Sequence, residues 1–313
     1  MGTALDGYFD ELAERSFGPG WAKPEPSLYP EPKRDFPPFH WRYTDARAAL
    51  HAAGEFVSVE FAERRNLICV NPKKGNTYAS TPNLVAAYQM VLPHESPRAH
   101  HHTPSALRVA VDVPPGTYTV VDGTRIDMAG GDVLLTPNWR WHGHGNDSDE
   151  EAYWIDILDV PLIHQLRAMF FETHPDLRQT IEHADPASPM RFAAAELARS
   201  APEIAPGVRR AAFGADHLLT IELEALSLAG GASLPARRTT TSSLLIPLSG
   251  AVVVDVEDVE DGASTFTASR GDVVAIPPWW RHRVTAGEDA VVLRASDEPL
   301  LRHLRLYREE ISG

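Results

Sequence analysis

The sequence predicts a mainly β protein of two related barrels, preceded by a helical arm and joined by a helical linker. Three observations carry that reading. The first is an internal repeat: Gly131-Asp132-Val133-Leu134-Leu135-Thr136-Pro137-Asn138-Trp139-Arg140-Trp141-His142 lies against Gly271-Asp272-Val273-Val274-Ala275-Ile276-Pro277-Pro278-Trp279-Trp280-Arg281-His282. Each copy reads as a Gly-Asp turn, a buried strand, a proline that closes it and an aromatic platform ending in a histidine. The second is a meander of short strands between turn residues: Leu107 to Val113, Tyr118 to Val121, the turn Asp122-Gly123, Arg125 to Met128, the turn Gly130-Gly131-Asp132, and Val133 to Thr136. The third is a close histidine pair, His100 and His102, with His142 beyond that meander.

Taken in order, Leu5, Tyr8, Phe9 and Leu12 stand at helical spacing, and Gly18 to Pro38 is rich in proline and glycine, hence extended. Thr44 can cap a helix through Leu50 that Gly54 ends, which closes an arm over 1–54. The alternation Phe56-Val57-Ser58-Val59-Glu60-Phe61 then announces strands, and a first barrel is expected over 55–171. Leu162, Ile163, Leu166, Met169 and Phe170 form a helical stripe, and Ser188-Pro189 before Phe192 to Leu197 marks a second helix start, giving a helical linker over 172–206. Strands return from Ala212, within a second barrel over 207–313.

With 313 residues and 43% hydrophobic content, the chain can bury a sizeable core. A net charge of -14 argues against nucleic acid and against anionic membranes as partners. One cysteine, Cys69, excludes an internal disulfide framework, and Asp6, Asp10, Glu11 and Glu14 stand where a signal peptide needs an apolar run. No stretch is long and apolar enough for a membrane helix, so a cytoplasmic protein is expected.

The histidines carry the chemistry. In a strand, residues two apart share a face, so His100 and His102 can act together while His101 points away. The meander can return His142 to the same barrel end, and three imidazoles there make a metal site, read here as iron. In the second copy Arg237 and Thr239 stand at the positions of the pair, so His282 is alone and no such metal is expected there.

The segments Pro93-His94-Glu95-Ser96-Pro97-Arg98-Ala99-His100-His101-His102 and Gly131, Pro137, His142 and Asn146 resemble the two motifs of the cupins, which implies a bicupin of two double-stranded β-helix (jelly-roll) barrels. More narrowly, His100-His101-His102-Thr103-Pro104-Ser105-Ala106-Leu107-Arg108, then Tyr118 to Gly123, then Thr136-Pro137-Asn138-Trp139-Arg140-Trp141-His142-Gly143-His144-Gly145-Asn146 resemble the gentisate 1,2-dioxygenase family, which includes salicylate, 5-nitrosalicylate and 1-hydroxy-2-naphthoate dioxygenases. Trp154-Ile155-Asp156, Leu158 to Leu162 and Leu306 to Glu310 add to a likeness that spans about residues 40 to 313. The resemblance implies an oxidoreductase that uses Fe(II) and O₂ to open an aromatic ring between its carboxyl-bearing and hydroxyl-bearing carbons. Three neutral imidazoles suit that use, because they leave positions open for a chelating salicylate and for O₂.

Arg108 lies at an even spacing from His102 and can meet a substrate carboxylate or a developing charge on oxygen. His144, two beyond His142, is a candidate acid or base, or a partner for bound O₂. By resemblance, Gln89 contacts substrate, and either Arg64 or Arg65 matches an upstream arginine of the family. Asn146, Asp156 and Asp159 are expected to orient the ligands by hydrogen bonds, and Trp139 and Trp141 to wall the pocket. The chain departs from the pattern at His94, which replaces a glycine of the general cupin motif, and at Asp112-Val113-Pro114-Pro115-Gly116, which replaces a glycine-rich stretch. These departures leave three readings: a gentisate dioxygenase, a dioxygenase for a 5-substituted salicylate (nitro, amino or halo) or 1-hydroxy-2-naphthoate, and a non-oxidative metal-binding cupin. The family also implies a homo-oligomer, tetramer or dimer.

Overall fold

The computed structural model describes residues 2–23, 25–62, 64–258 and 262–312. Residues 1–33 and 34–313 are separate units. The first holds the helix Gly2–Glu14, where the helical spacing places it, and a later coil in which Lys33 pairs with Glu25 at 3.1 Å.

In the second unit the strands form four sheets, two for each copy of the repeat. One six-stranded sheet runs Arg191–Ala193, Asp132–Thr136, Ala106–Asp112, Ala152–Leu158, Val85–Val91, Arg65–Ile68, and the facing one runs Phe171–Thr173, His100–His102, His142–Asn146, Thr117–Val121, Thr124–Asp127, His183–Ala184. The other copy has seven strands, Phe39–Trp41, Val273–Ile276, Ser243–Ser249, Ala290–Ser296, Glu222–Leu228, Val208–Phe213, Glu203–Ala205. It faces five, Gly262–Ser269, Ala251–Asp258, Arg281–Ala286, Arg237–Thr239, Glu309–Ile311. The architecture is two jelly-roll barrels, the bicupin fold. The turns fall where turn residues predict them: Asp122 and Gly123 take φ 45° and 80°, as a two-residue hairpin with positive φ at both positions needs.

The two large sheets pack back to back. Leu107, Val109, Val133, Leu135, Ile155 and Ile157 from the first barrel share one buried cluster with Leu223, Ala225, Leu244, Ile246, Leu293 and Ala295 from the second. Alternate residues on the same strands face each barrel's own interior. Inside the second barrel these are mostly apolar, among them Leu226, Leu245, Val252, Val254, Val284 and Val292. Inside the first, apolar packing falls into two small clusters, Ala110, Val121, Ile126, Met128 and Leu134, and Val91, Ala152 and Trp154, with polar side chains between them.

A pair of buried aspartates repeats across the fold. The Oδ1 of Asp159 accepts the Ser105 N–H at 2.8 Å, and the Oδ1 of Asp297 accepts the Ser242 N–H at 2.8 Å. The other oxygen of each reaches into the opposite barrel: Thr220 donates to Asp159 at 2.5 Å, and Asn83 to Asp297 at 2.7 Å.

Three sequence expectations are corrected. Phe56 to Phe61 is not strand; Ser58 accepts the Phe61 N–H through its hydroxyl and caps the short helix Val59–Ala62, with Phe56 and Phe61 outside any core. The linker is not mainly helical: Arg167 at φ 58° stands just past the helix Val160–Gln165, and Phe171–Thr173, His183–Ala184 and Arg191–Ala193 add to open edges of the first barrel's sheets. Sheet edges offer unpaired N–H and C=O groups, which outweigh a modest helical stripe. Helix is confined to Ala194–Ser200 within that span. Nor is all of 1–54 an arm, because Phe39–Trp41 pairs with Val273–Ile276 and the helix Tyr43–Gly54 places Tyr43 and Leu50 in the inter-barrel core.

Leu293→Ala should lower stability by about 2–5 kcal/mol in urea unfolding, because its site is closed on all sides. Burial raises Asp159 and Asp297 to about 6. An unfolded aspartate titrates near ~3.9, so as pH falls from ~6 toward ~4 the folded state takes up protons first and gains stability from these two groups. Asp297→Asn should therefore flatten that gain, read as the difference in urea midpoints between pH 7 and pH 5.

Candidate metal centre

His100 and His102 enter the first barrel from one short strand, and the register sets His100 directly across from His142. The ring centroids lie 5.6 Å apart for His100 and His102, 4.5 Å for His100 and His142, and 4.8 Å for His102 and His142. One nitrogen from each falls within 4.8 Å of the others. Each Nδ1 faces a backbone carbonyl: His100 toward Arg98 at 3.3 Å, His102 toward Pro104 at 2.8 Å, His142 toward Arg140 at 2.9 Å. A carbonyl only accepts, so each Nδ1 keeps its hydrogen and each Nε2 keeps a lone pair.

The rings are also neutral. Burial, then the positive charge of Arg64, pushes His100 down to about 2. Burial pushes His102 to about 4, and burial with the charge of Arg108 holds His142 well below its ordinary value. Three oriented, unprotonated imidazole nitrogens converging on one point fit a divalent metal, and this chain has a metal cofactor site here.

Around the cluster lie buried polar groups without hydrogen-bond partners: Nε and Nη1 of Arg64, Oε1 of Gln89 and both ring nitrogens of His144. His144 is neutral through burial and the charges of Arg108 and Arg64. Arg108 is held rigidly; its Nη1 donates to Thr136 Oγ1 at 2.6 Å and its Nε lies 3.4 Å from Asp156. Between the two upstream arginines the structure decides. Arg65 grips Glu95 with two bonds of 2.6 and 2.9 Å, whereas Arg64 has buried nitrogens free near the histidines.

Asp156 lies inside the barrel and accepts the Trp154 indole N–H at 3.0 Å, besides facing Arg108. Asp159 reaches the cluster indirectly, by holding Ser105, which follows the Pro104 that His102 bonds. Asn146 does not orient a ligand. Its amide donates to the carbonyls of Val91, Leu92 and Glu150, which ties down the end of its strand.

Trp139 and Trp141 are not brought to the pocket either. They stack on the outward ring of His101 at 3.9 and 3.6 Å, and His101 bonds Glu172 at 3.0 Å. The alternation that turns His142 inward turns Trp141 outward. Trp139, at φ 60°, donates its N–H to His102 at 2.9 Å, which fastens the loop to the ligand strand.

Sequence reading missed three residues. Trp154, with its ring 5.4 Å from His144, shares the inward face with Asp156, so alternation from Asp156 could have found it. Thr136, which holds Arg108, lies in the repeat but carried no chemical signal. Phe171, 5.1 Å from the His100 ring, comes from an edge strand whose pairing no local pattern announces.

His142→Ala should reduce bound metal from one equivalent to a trace, measured by elemental analysis, whereas His282→Ala should leave metal content unchanged. Full retention in the first variant would overturn the ligand set.

Residues 87–158 match the family model of the cupin domain. A 5-aminosalicylate 1,2-dioxygenase from Comamonas sp is 29% identical over 343 aligned residues, covering 98% of this chain and 90% of its own. A gentisate 1,2-dioxygenase from Ralstonia sp is 38% identical over 165 residues, covering 52% of this chain and 46% of its own. The crystal structure of salicylate 1,2-dioxygenase from Pseudoaminobacter salicylatoxidans as an adduct with gentisate superposes with a TM-score of 0.87 at 25% identity, over 99% of this chain and 94% of that one. With the three-histidine centre set in the first of two jelly-roll barrels, the chain is similar along nearly its whole length to the gentisate 1,2-dioxygenase family of bicupins.

Proposed function

We propose that the protein is an Fe(II)-dependent dioxygenase that opens a gentisate or salicylate-type ring between the carboxyl-bearing and hydroxyl-bearing carbons, with O₂ as oxidant. The carrying observation is the placement of unpartnered buried groups, Arg64, Gln89 and His144, around three metal-ready histidines. A buried polar group without a partner costs about 1–3 kcal/mol, and a bound aromatic acid would satisfy all three. Fe(II) held by His100, His102 and His142 would supply a Lewis acid for the ortho hydroxyl and carboxylate, and electrons for O₂.

The chain's own groups divide the remaining work. Arg64 can donate to the substrate carboxylate from a nitrogen that has no other partner, Nε or Nη1. His144, neutral and free at both nitrogens, can accept a hydrogen bond from the substrate's hydroxyl. Arg108, buried and fixed by Thr136 and Asp156, sets a positive potential that favours the phenolate without moving. Trp154 and the apolar residues of the barrel interior keep water out.

Gln89 bears on the substituent opposite the hydroxyl. Its orphan atom is a carbonyl oxygen, an acceptor, which suits a donor on the ring such as the second hydroxyl of gentisate or the amino group of 5-aminosalicylate. The Comamonas relative that spans nearly the whole chain is named for the latter substrate.

The test is O₂ consumption by protein loaded anaerobically with Fe(II), offered gentisate, 5-aminosalicylate, salicylate, 5-nitrosalicylate and 1-hydroxy-2-naphthoate, with His142→Ala as the blank. Uptake with loss of the aromatic absorbance is expected, fastest with gentisate or 5-aminosalicylate. No uptake with any, at stoichiometric iron, would sink the reading. Gln89→Leu should lower kcat/KM for the best substrate by about tenfold and for salicylate by less than about twofold, the worth of one hydrogen bond. Arg64→Gln should raise KM on the order of 100-fold with iron still bound.

A further inference from the structure

We propose that the second barrel holds a binding site for a small monocarboxylate with an apolar body, built where the first barrel holds its metal. The two barrels correspond residue by residue at this end. Arg237 pairs in register with His282 as His100 does with His142. Trp279 donates its N–H to Thr239 at 2.7 Å, as Trp139 does to His102 at 2.9 Å. Arg237 and Thr239 therefore replace two metal ligands, and Arg294 stands inside the barrel at the position of Asp156.

Arg237 and Arg294 face a cavity of about 450 Å³ whose walls also include Leu226, Leu234 and Pro235. Beside it a space of about 10 Å³ lies between Arg237, His282 and Arg294. Arg294 is 3% exposed and spends its Nη2 on Glu224 at 2.8 Å, with Glu222 and Glu298 at 3.3 and 3.4 Å. Its Nε is buried and has no acceptor. Arg237 reaches Glu309 at a long 3.4 Å. The Nδ1 of His282 faces the Trp280 carbonyl at 3.1 Å, so its Nε2 is left as an acceptor.

At the mouth the charges are already matched. Arg302 is held by Glu298 at 2.6 Å and lies over Tyr307, and Arg210 faces Glu224 at 3.4 Å. The floor keeps one donor unmatched, the Nε of Arg294. Burial and then Arg294 lower the proton affinity of Arg237 while Glu224 and Glu309 raise it, and burial and then Arg237 lower His282 to about 4. One carboxylate oxygen gives that Nε an acceptor. A second negative charge would meet Glu309 and Glu298, which disfavours a phosphate dianion. The apolar walls then select a carboxylate attached to a hydrocarbon or aromatic body.

The site does not depend on the metal centre, and titration calorimetry with benzoate separates the two. One equivalent of benzoate should bind to the metal-loaded protein and persist in Arg64→Gln, which alters the metal pocket. That equivalent should be weakened at least tenfold in Arg237→Gln and in Leu234→Trp, which fills the cavity, and kept within about tenfold in Arg237→Lys. Inorganic phosphate should not displace it at equal concentration. Benzoate uptake unchanged in both Arg237→Gln and Leu234→Trp, uptake abolished by Arg64→Gln alone, or displacement by phosphate would each overturn the proposal. Failure of the ring-cleavage reading alone would leave the Arg237-dependent equivalent in place.

Discussion

The apolar contact between the backs of two sheets, one from each barrel, is the constraint on which the rest of this structure depends. Each large sheet must present one face to its own barrel and the other to its partner, so its central strands are buried on both sides, and residues such as Leu107, Val109, Leu244 and Ile246 cannot be polar. Burial at about 25 cal/mol per Å² makes this shared layer the main source of cohesion between the barrels. The crossed aspartate bonds, Asp159 to Thr220 and Asp297 to Asn83, then fix the register of the two halves with directional contacts that an apolar layer lacks.

Because the outer faces supply cohesion, the inner faces are free to differ. The second barrel fills most of its interior with valine and leucine. The first places Arg108, Gln89, Asp156, His142 and His144 on inward positions and accepts unsatisfied polar groups there. A barrel that had to stabilise itself through its own interior could not hold such a set without a ligand. Stability and chemistry are thus assigned to opposite faces of the same strands, one residue apart.

Orientation at the metal centre is likewise set by backbone rather than by side-chain partners. All three ligand rings are turned by carbonyls within two residues, at Arg98, Pro104 and Arg140. The loops bearing those carbonyls are fastened from outside: Trp139 bonds the His102 carbonyl, and Trp139 and Trp141 stack on His101. The middle histidine of the triplet therefore acts through packing, on the side away from the metal.

The sequence by itself determined the fold class, the meander and its turns, the repeat and the ligand trio, because each is written in a short-range pattern: period-two alternation, Gly-Asp and Asp-Gly turns, and spacing within or between adjacent strands. The same alternation already implied that Trp141 points outward. Only the tertiary structure decided that Arg64 rather than Arg65 faces the histidines, since the choice rests on Glu95, thirty positions away, capturing Arg65. It alone showed that residues 166–193 contribute three short edge strands, that Phe39–Trp41 belongs to the second barrel, and that Phe171 flanks His100. These outcomes depend on open sheet edges and charge partners distant along the chain, and a local pattern carries no information about which distant group arrives first at a shared hydrogen bond.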